Sequence, residues 1–454
     1  MRWWLALLAL VAAAPALATP VRVDVARKGD GFVATYHFPK SAAAWGFFRS
    51  AVTGTDKVSW RPSSWTVLTP GVRIERRGNY DVLAANGKPI PRTVRVAVKP
   101  FTGYLVADYV PALRLGNGWA MFDGHYAVFA APSLTAVDRL PVDLGDHDVD
   151  DPGTLVRFAG LKDRQIAGDL AGYKEGGSEG AFGLFGVPVA SESNGVATVV
   201  DPAVPTWLGG DVAAWAPKLI DAYTSRLGPR AIPQATIMMG FDGANHGGAS
   251  MNGGALKGLI MMRFSGRDLL QPLPDYLPRV RWFIAHETGH FWLGQTVLVD
   301  RLADSWITEG GADMLAMRIL GAIDPTFDQR PFLNKELADC ASFASKPVGG
   351  AGERGEQRAF YACGAVFGLV AEKYAGGDFF AFYRALKDKA GADRTIDGAE
   401  WLDVLAAKGA PTRVVAQVRQ LIDKGAPDGK AAVARLLTDA GIAHKLNAEG
   451  VPQV

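Results

Sequence analysis

The sequence predicts a multidomain α+β protein from three observations. Short runs alternating apolar and polar residues, broken by Gly, Pro and Asn, occupy the chain from about Val21 to Ala131. Helix-period apolar patterns separated by Gly and Pro occupy it from about Phe360 to the end. Between them, strand and helix signals are mixed. The 454 residues suit two or three domains, and a composition 48% hydrophobic and 21% charged suits a globular protein. The expected divisions are a signal peptide over residues 1–18, an antiparallel β-rich domain over 19–200, a mixed domain over 201–340 and a helical region over 341–454. A formal net charge of +2 gives no sign of a nucleic-acid surface or an acidic tail, so no nucleic-acid partner is expected.

The N-terminus carries a targeting pattern. Arg2 supplies a positive start, Trp3 to Ala14 is almost wholly apolar, and Ala16-Leu17-Ala18 is a small-x-small cleavage signal. The mature chain is therefore expected to begin at Thr19, exported to the periplasm or secreted. The apolar run is too short to favour a spanning helix, and no later run approaches the roughly 20 apolar residues a span needs, so no stable membrane anchor is expected. The two cysteines, Cys340 and Cys363, are a plausible disulfide in an oxidising compartment; two buried free thiols are the alternative.

In the β region, Val21–Val25, Val72–Glu75 and Val94–Val98 alternate in the manner of half-buried strands, with turns at Gly29-Asp30-Gly31, Asn86-Gly87 and Gly116-Asn117-Gly118. The acidic stretch Asp143–Asp151 lacks the spacing of a calcium loop and reads as a solvated turn. Gly172–Gly177 reads as another loop. After Pro205 the pattern predicts a helix over Asp211–Leu227, with Pro217 either kinking it or marking its first turn. Strands follow at Thr236–Met239 and Gly258–Phe264, with a Gly-rich stretch between them that contains His246, read as a solvated loop histidine. A helix starting near Pro278 is expected to stop at Gly294. The tail patterns predict helices over Ala365–Lys373, Phe379–Lys389, Trp401–Lys408 and Val414–Lys424.

The chemistry is concentrated in His286-Glu287-Thr288-Gly289-His290. On a helix, positions i and i+4 share a face, so both imidazoles can grip one zinc ion, and the Glu beside the first can reach a water on that ion. Hydrolytic zinc takes three protein ligands and leaves one position open. Eighteen residues separate His290 from Glu309, the candidate third ligand, on a second helix that Asp304 or Ser305 can cap. Asp313, four residues on, shares the face of Glu309 and can accept the second ring N–H of a ligand histidine. The expected cofactor is one zinc ion, with Glu287 as the base.

These residues resemble the gluzincin metallopeptidases, specifically the aminopeptidase N type with its thermolysin-like zinc catalytic domain. The matching features are His286-Glu287-x-x-His290 followed by Glu309, the flanking Trp306-x-x-Glu309-Gly310, and Tyr361-Ala362-Cys363-Gly364. The resemblance implies a peptide or protein substrate and an oxyanion-binding role for Tyr361, although Cys363 stands where the family has Lys. It also implies that substrate lies along the strand before the zinc helix, with Gly253, Gly254 and Ala255 as the substrate strand. Family members that act as aminopeptidases carry a Glu there to bind the free amine. The possible registers of this sequence place Met251, Lys257 or Ala255 at that position, and none is a carboxylate. The expectation is an aminopeptidase-like zinc peptidase without the usual amine anchor. An endopeptidase, a non-peptide hydrolase using the same site, and a zinc-stabilised binding protein that has lost catalysis are the alternatives. The sequence carries no indication of oligomeric state.

Overall fold

The computed structural model describes residues 19–454 apart from 55, 107, 145–146, 160–179, 187–190, 194 and 234. The expected signal peptide, the Gly172–Gly177 loop and the Gly145-Asp146 pair of the acidic stretch lie outside the described residues.

The N-terminal region is dominantly antiparallel β-structure. Val21–Lys28 pairs with Gly31–His37, which pairs with Thr93–Val98. Alternation turns Val21, Val23 and Val25 inward to complete burial, while Arg22 faces out. Thr154–Ala159 departs from the pattern by adding to Val21–Lys28 in parallel, with Val23 opposite Val156. A parallel partner needs a long connection, which local patterning cannot announce. A second sheet joins Val128–Ala131, Ala44–Phe47, Tyr80–Ala84 and Arg73–Arg77. A third, of Phe182–Phe185, Gly118–Phe122 and Ala112–Leu115, lies against the sheet that carries the site.

That site sheet has the order Ser191–Ser193, Val196–Val200, Ala235–Phe241, Leu259–Ser265, Ser250–Leu256. Its three inner strands are parallel, and Ser250–Leu256 is an antiparallel edge strand paired on one side only. Both faces are covered, which is why the inner strands read as unbroken apolar runs. Val199, Met238, Leu259 and Met261 pack on the third sheet; Ile237, Met239, Ile260 and Met262 pack on the helices. Each such side chain contributes about 1.5–3 kcal/mol by leaving water.

On the helical side, Thr206–Leu227 starts five residues before the expected Asp211, and Pro217 lies buried in its interior rather than in its first turn. The motif helix, Leu277–Gly289, ends five residues before the expected stop at Gly294. Past it the bonds tighten, with the Phe291 and Trp292 amides donating to the Thr288 and Gly289 carbonyls. Gly294, at φ +128°, then turns the chain away. The next helices are Ser305–Ile323, Arg330–Phe343 and Arg358–Tyr374, followed by Phe379–Ala390, Gly398–Ala407, Thr412–Asp423 and Gly429–Asp439. One apolar cluster extends from Val196 to Val451, so the helices after residue 341 build on the same core as the motif helix. Among the described residues no helix is long and apolar enough to cross a membrane.

Candidate metal centre and its cleft

The motif helix buries its Val280, Ile284, Ala285 face against the core, which carries His286 and Glu287 inward at 2% and 5% exposure. The Tyr223 hydroxyl, itself buried, donates to the Ala285 carbonyl at 2.9 Å and fixes the helix end. The ring of Trp282, one turn earlier, lies 5.7 Å from that of His286, and Tyr361 stacks on His286 at 5.6 Å and 18°.

Glu309 and Tyr361 come from two helices, Ser305–Ile323 and Arg358–Tyr374, that touch through glycines. A Cβ on Gly310 would lie 2.2 Å from the Gly364 carbonyl carbon, and one on Gly364 would lie 2.1 Å from the Trp306 carbonyl oxygen. Only glycine permits this approach, and it brings the side chains on either side to one point. Asp304 occupies the N-cap position of the first helix, but neither it nor Ser305 makes the expected side-chain capping bond. The Asp304 carboxyl instead takes the amide of Gly398.

The ring nitrogens define what fits between them. His286 Nδ1 meets Asp313 Oδ1 at 2.7 Å, and His290 Nδ1 meets the Leu293 carbonyl at 3.2 Å. Both partners are acceptors, so both Nδ1 atoms donate, and in the neutral rings both Nε2 atoms carry lone pairs. The two Nε2 atoms lie 3.1 Å apart, and Glu309 Oε2 lies 3.6 and 3.5 Å from them. That oxygen is buried without a hydrogen-bond partner. With both rings neutral, three acceptors converge and a cation satisfies all three. Without a cation, burial works against charged rings, but Asp313 and Glu309 outweigh it at His286, and Glu309 at His290, and raise both histidines. Ligand atoms of His286, His290 and Glu309 all lie within 4.8 Å of one another, the one such group among the described residues. Two nitrogens and a carboxylate with one side open are a donor set that suits zinc.

The charges around this point are strongly perturbed. Burial works against ionised Glu309, but the facing His290 and His286 outweigh it and hold the carboxyl well below the usual range. Burial raises Glu287; the two histidines oppose the shift, and Glu309 and Asp313 add to it. Burial, then Glu309 and Glu287, push the Tyr361 hydroxyl well above the ordinary phenol value. Asp313 is fully buried, and Arg358 approaches it to 4.0 Å while bonding Glu336 at 2.6 Å and Asp339 at 2.7 Å. The same guanidinium lies 5.9 Å from the Tyr361 ring. Burial and then Asp313 push Glu336 up to about 7 against the pull of Arg358. The Cys340–Cys363 disulfide ties the Glu336 helix to the Tyr361 helix. Sequence reasoning missed Trp282, Arg358 and Glu336. Trp282 and Arg358 had a signal, lying one helical turn before His286 and Tyr361.

Gly253, Gly254 and Ala255 lie on the edge strand beside the metal centre. Tyr109, from the N-terminal region, donates its hydroxyl to the Ala255 carbonyl at 2.5 Å and covers Gly254, where a Cβ would lie 2.8 Å from its ring. Burial raises the pKa of its hydroxyl; Arg49 opposes the shift, and Glu287 and Glu309 add to it. Asp108, held by Arg49 at 2.7 Å, takes the Tyr109 amide, and His125 meets its carbonyl at 2.7 Å. His246 is exposed and rests on Ser265 Oγ at 3.0 Å.

No family model matches the chain, and no curated protein matches it. Solved structures do. An aminopeptidase N family protein from Idiomarina loihiensis aligns at a TM-score of 0.50 and 12% identity, covering 92% of this chain and 75% of that one. Native yeast LTA4 hydrolase aligns at 0.49 and 12%, over 90% and 68%. The M1 zinc metallopeptidase of Deinococcus radiodurans aligns at 0.44 and 14%, over 89% and 92%. The fold, an N-terminal β region followed by a mixed sheet-and-helix region and a helical tail, is similar to that of the aminopeptidase N family protein. By fold the chain resembles the aminopeptidase N type of metallopeptidase.

Proposed function

We propose that the chain is an exported zinc-dependent peptidase whose site is built from His286, His290 and Glu309 as ligands, Glu287 as general base and Tyr361 as oxyanion donor. The observation that carries this reading is the convergence of two imidazole nitrogens and one carboxylate beside a second, buried carboxyl, that of Glu287. When bound, zinc supplies Lewis acidity and brings the pKa of a water toward about 7.

The chain's own groups do the rest. Glu287, buried beside the two histidines, takes the proton of the attacking water and delivers it to the leaving amine. Tyr361 stays protonated and donates to the oxyanion. Asp313 holds the His286 tautomer. A peptide lies along the edge strand, whose open side offers backbone groups at Gly253 and, by strand alternation, Met251. Ala255 is on the same side, but its carbonyl is already taken by Tyr109. Amine anchoring is not part of this reading, because no residue of the edge strand is acidic. Export is supported by the Ala16-Leu17-Ala18 pattern and by the disulfide, which persists in oxidising compartments.

The test is Glu287→Gln. The variant should bind zinc like the parent and lose hydrolysis of a generic peptide mixture by about 10²–10⁴-fold. Parent-level hydrolysis by the zinc-loaded variant would overturn the mechanism.

A further inference from the structure

A cavity of about 340 Å³ lies at the N-terminal end of the Ser305–Ile323 helix, against its N-cap residue Asp304. Its other walls are the preceding loop at Arg301, the loop at 347–350, the first turn of Gly398–Ala407 and the last turn of Thr412–Asp423. None of His286, Glu287, His290, Glu309 and Tyr361 lines it. Cavities of this size hold small molecules.

The wall carries charges of both signs that the chain leaves unsatisfied. Asp304 is 7% exposed. Its carboxyl takes the Gly398 amide, and a Cβ on Gly398 would lie 2.7 Å from its Oδ1. Its Oδ2 is buried with no hydrogen-bond partner among the described residues. Such an oxygen costs free energy that a ligand N–H recovers. Arg301 favours the ionised Asp304 carboxyl, while Asp397 and Asp423 crowd it. Among the described residues neither Arg301 nor Arg419 has a side-chain hydrogen bond or a close ion pair. Arg419, Ile422 and Asp423 fall three and four positions apart, so they share one face of their helix. In the first turn of Gly398–Ala407, the Gly398 amide goes to Asp304 and the Glu400 amide to Asp397 Oδ1 at 2.8 Å. The Ala399 amide, also on the wall, is left to meet an anion.

This set discriminates between ligands. Two guanidinium groups repel a metal ion, and Asp304, Asp397 and Asp423 do not converge as ligands; the one such group among the described residues is at His286. The same three carboxylates repel a phosphate. A molecule with both charges satisfies both halves of the wall. The geometry points to a binding site for a free α-amino acid or dipeptide in its zwitterionic form. Its ammonium faces Asp304 and Asp423, its carboxylate faces Arg301, Arg419 and the Ala399 amide, and an aliphatic side chain rests on Leu402 and Ile422. The inference goes beyond the peptidase reading and does not rest on it, although for a peptidase the ligand is a product of its own reaction.

Calorimetric titration of the full chain tests it. The probes are L-leucine, L-leucyl-L-leucine, L-leucinamide, which keeps only the ammonium, and N-acetyl-L-leucine, which keeps only the carboxylate. One zwitterion should bind with a Kd of about 1 mM or tighter, and about tenfold or more tighter than both single-charge analogues. Tighter binding of leucine identifies the amino acid as the ligand; tighter binding of the dipeptide identifies the other source. Arg419→Gln alters an exposed side chain, so its urea midpoint should match the parent's while its Kd weakens about tenfold. Asp304→Asn, which keeps the shape of the carboxyl, should weaken binding as much. A Kd weaker than about 1 mM for both zwitterions would overturn the site. So would a smaller preference over the analogues, or binding that survives Arg419→Gln, which would place the ligand elsewhere, as at the metal centre. Whether the parent cleaves any peptide has no bearing on these results.

Discussion

Replacing Asp313 by Asn tests how the metal centre is supported from behind. The amide oxygen can still accept from His286 Nδ1 at the observed 2.7 Å, so the tautomer survives and only the charge is removed. Both groups are buried, Asp313 completely, so no water screens that charge. Removing such a partner weakens metal binding by about 10–100-fold, which is about 1.4–2.7 kcal/mol. The same loss appears in folding. Zinc at 100 times the parent's Kd stabilises the parent by about 2.7 kcal/mol, and a thirtyfold weaker variant at that concentration retains about 0.9 kcal/mol. In the metal-free proteins two effects oppose one another. Asp313 crowds Glu336 against one shared Arg358, but it also holds a charged His286, so the apo variant should lose less stability than the zinc-loaded one. The assay is zinc competition against a chelator of known affinity at neutral pH, paired with urea denaturation with and without zinc. A zinc Kd within twofold of the parent would refute the argument. So would an apo variant destabilised as much as the zinc-loaded one, because Asp313 would then serve the fold and not His286.

Three further outcomes are expected. Tyr361→Phe should lower kcat by about 10²–10³-fold with KM little changed, as for the loss of one oxyanion donor, read by steady-state kinetics on any cleaved peptide. Gly310→Ala should destabilise the protein by about 1–3 kcal/mol in urea, since its new methyl meets the Gly364 backbone, and the added helix propensity of about 1 kcal/mol offsets this only in part. Glu336, raised to about 7 from its ordinary 4.5, binds more protons folded than unfolded between those values. Its contribution to stability therefore falls as pH rises from about 4.5 to 7, and Glu336→Gln should flatten that part of the parent's curve in denaturation measured across the window. An unchanged slope would show that Arg358 alone keeps Glu336 ionised.

What was legible in the sequence had local period. His286 and His290 are one helical turn apart, as are Glu309 and Asp313, and the 3.6-residue repeat places each pair without knowledge of the fold. Helix ends were less legible. The glycine that looked like a stop, Gly294, works in a turn beyond an end already reached at Gly289, and the Arg330–Phe343 helix was not anticipated. Its apolar spacing is diluted by Lys335, Glu336 and Asp339, of which Glu336 and Asp339 bond Arg358. Contacts made across the chain were illegible. Tyr109 meets Ala255 across 146 positions, and a bridge between Leu298 and Thr395 joins two loops far apart in the chain. No pattern confined to one element encodes such a meeting.

The contact of Tyr109 with the edge strand also bears on how this protein can be taken apart. A fragment starting at Ser191 would contain every candidate zinc ligand, the base and the oxyanion donor. It would also bare the apolar sheet face of Val199, Met238 and Met261 and free the Ala255 carbonyl to pair with whatever strand arrived first. The N-terminal region is one wall of the cleft as well as a cover for the sheet. Minimal versions of the protein, and chimaeras that exchange its front half, should therefore be cut so that residues 108–125 travel with the candidate zinc ligands.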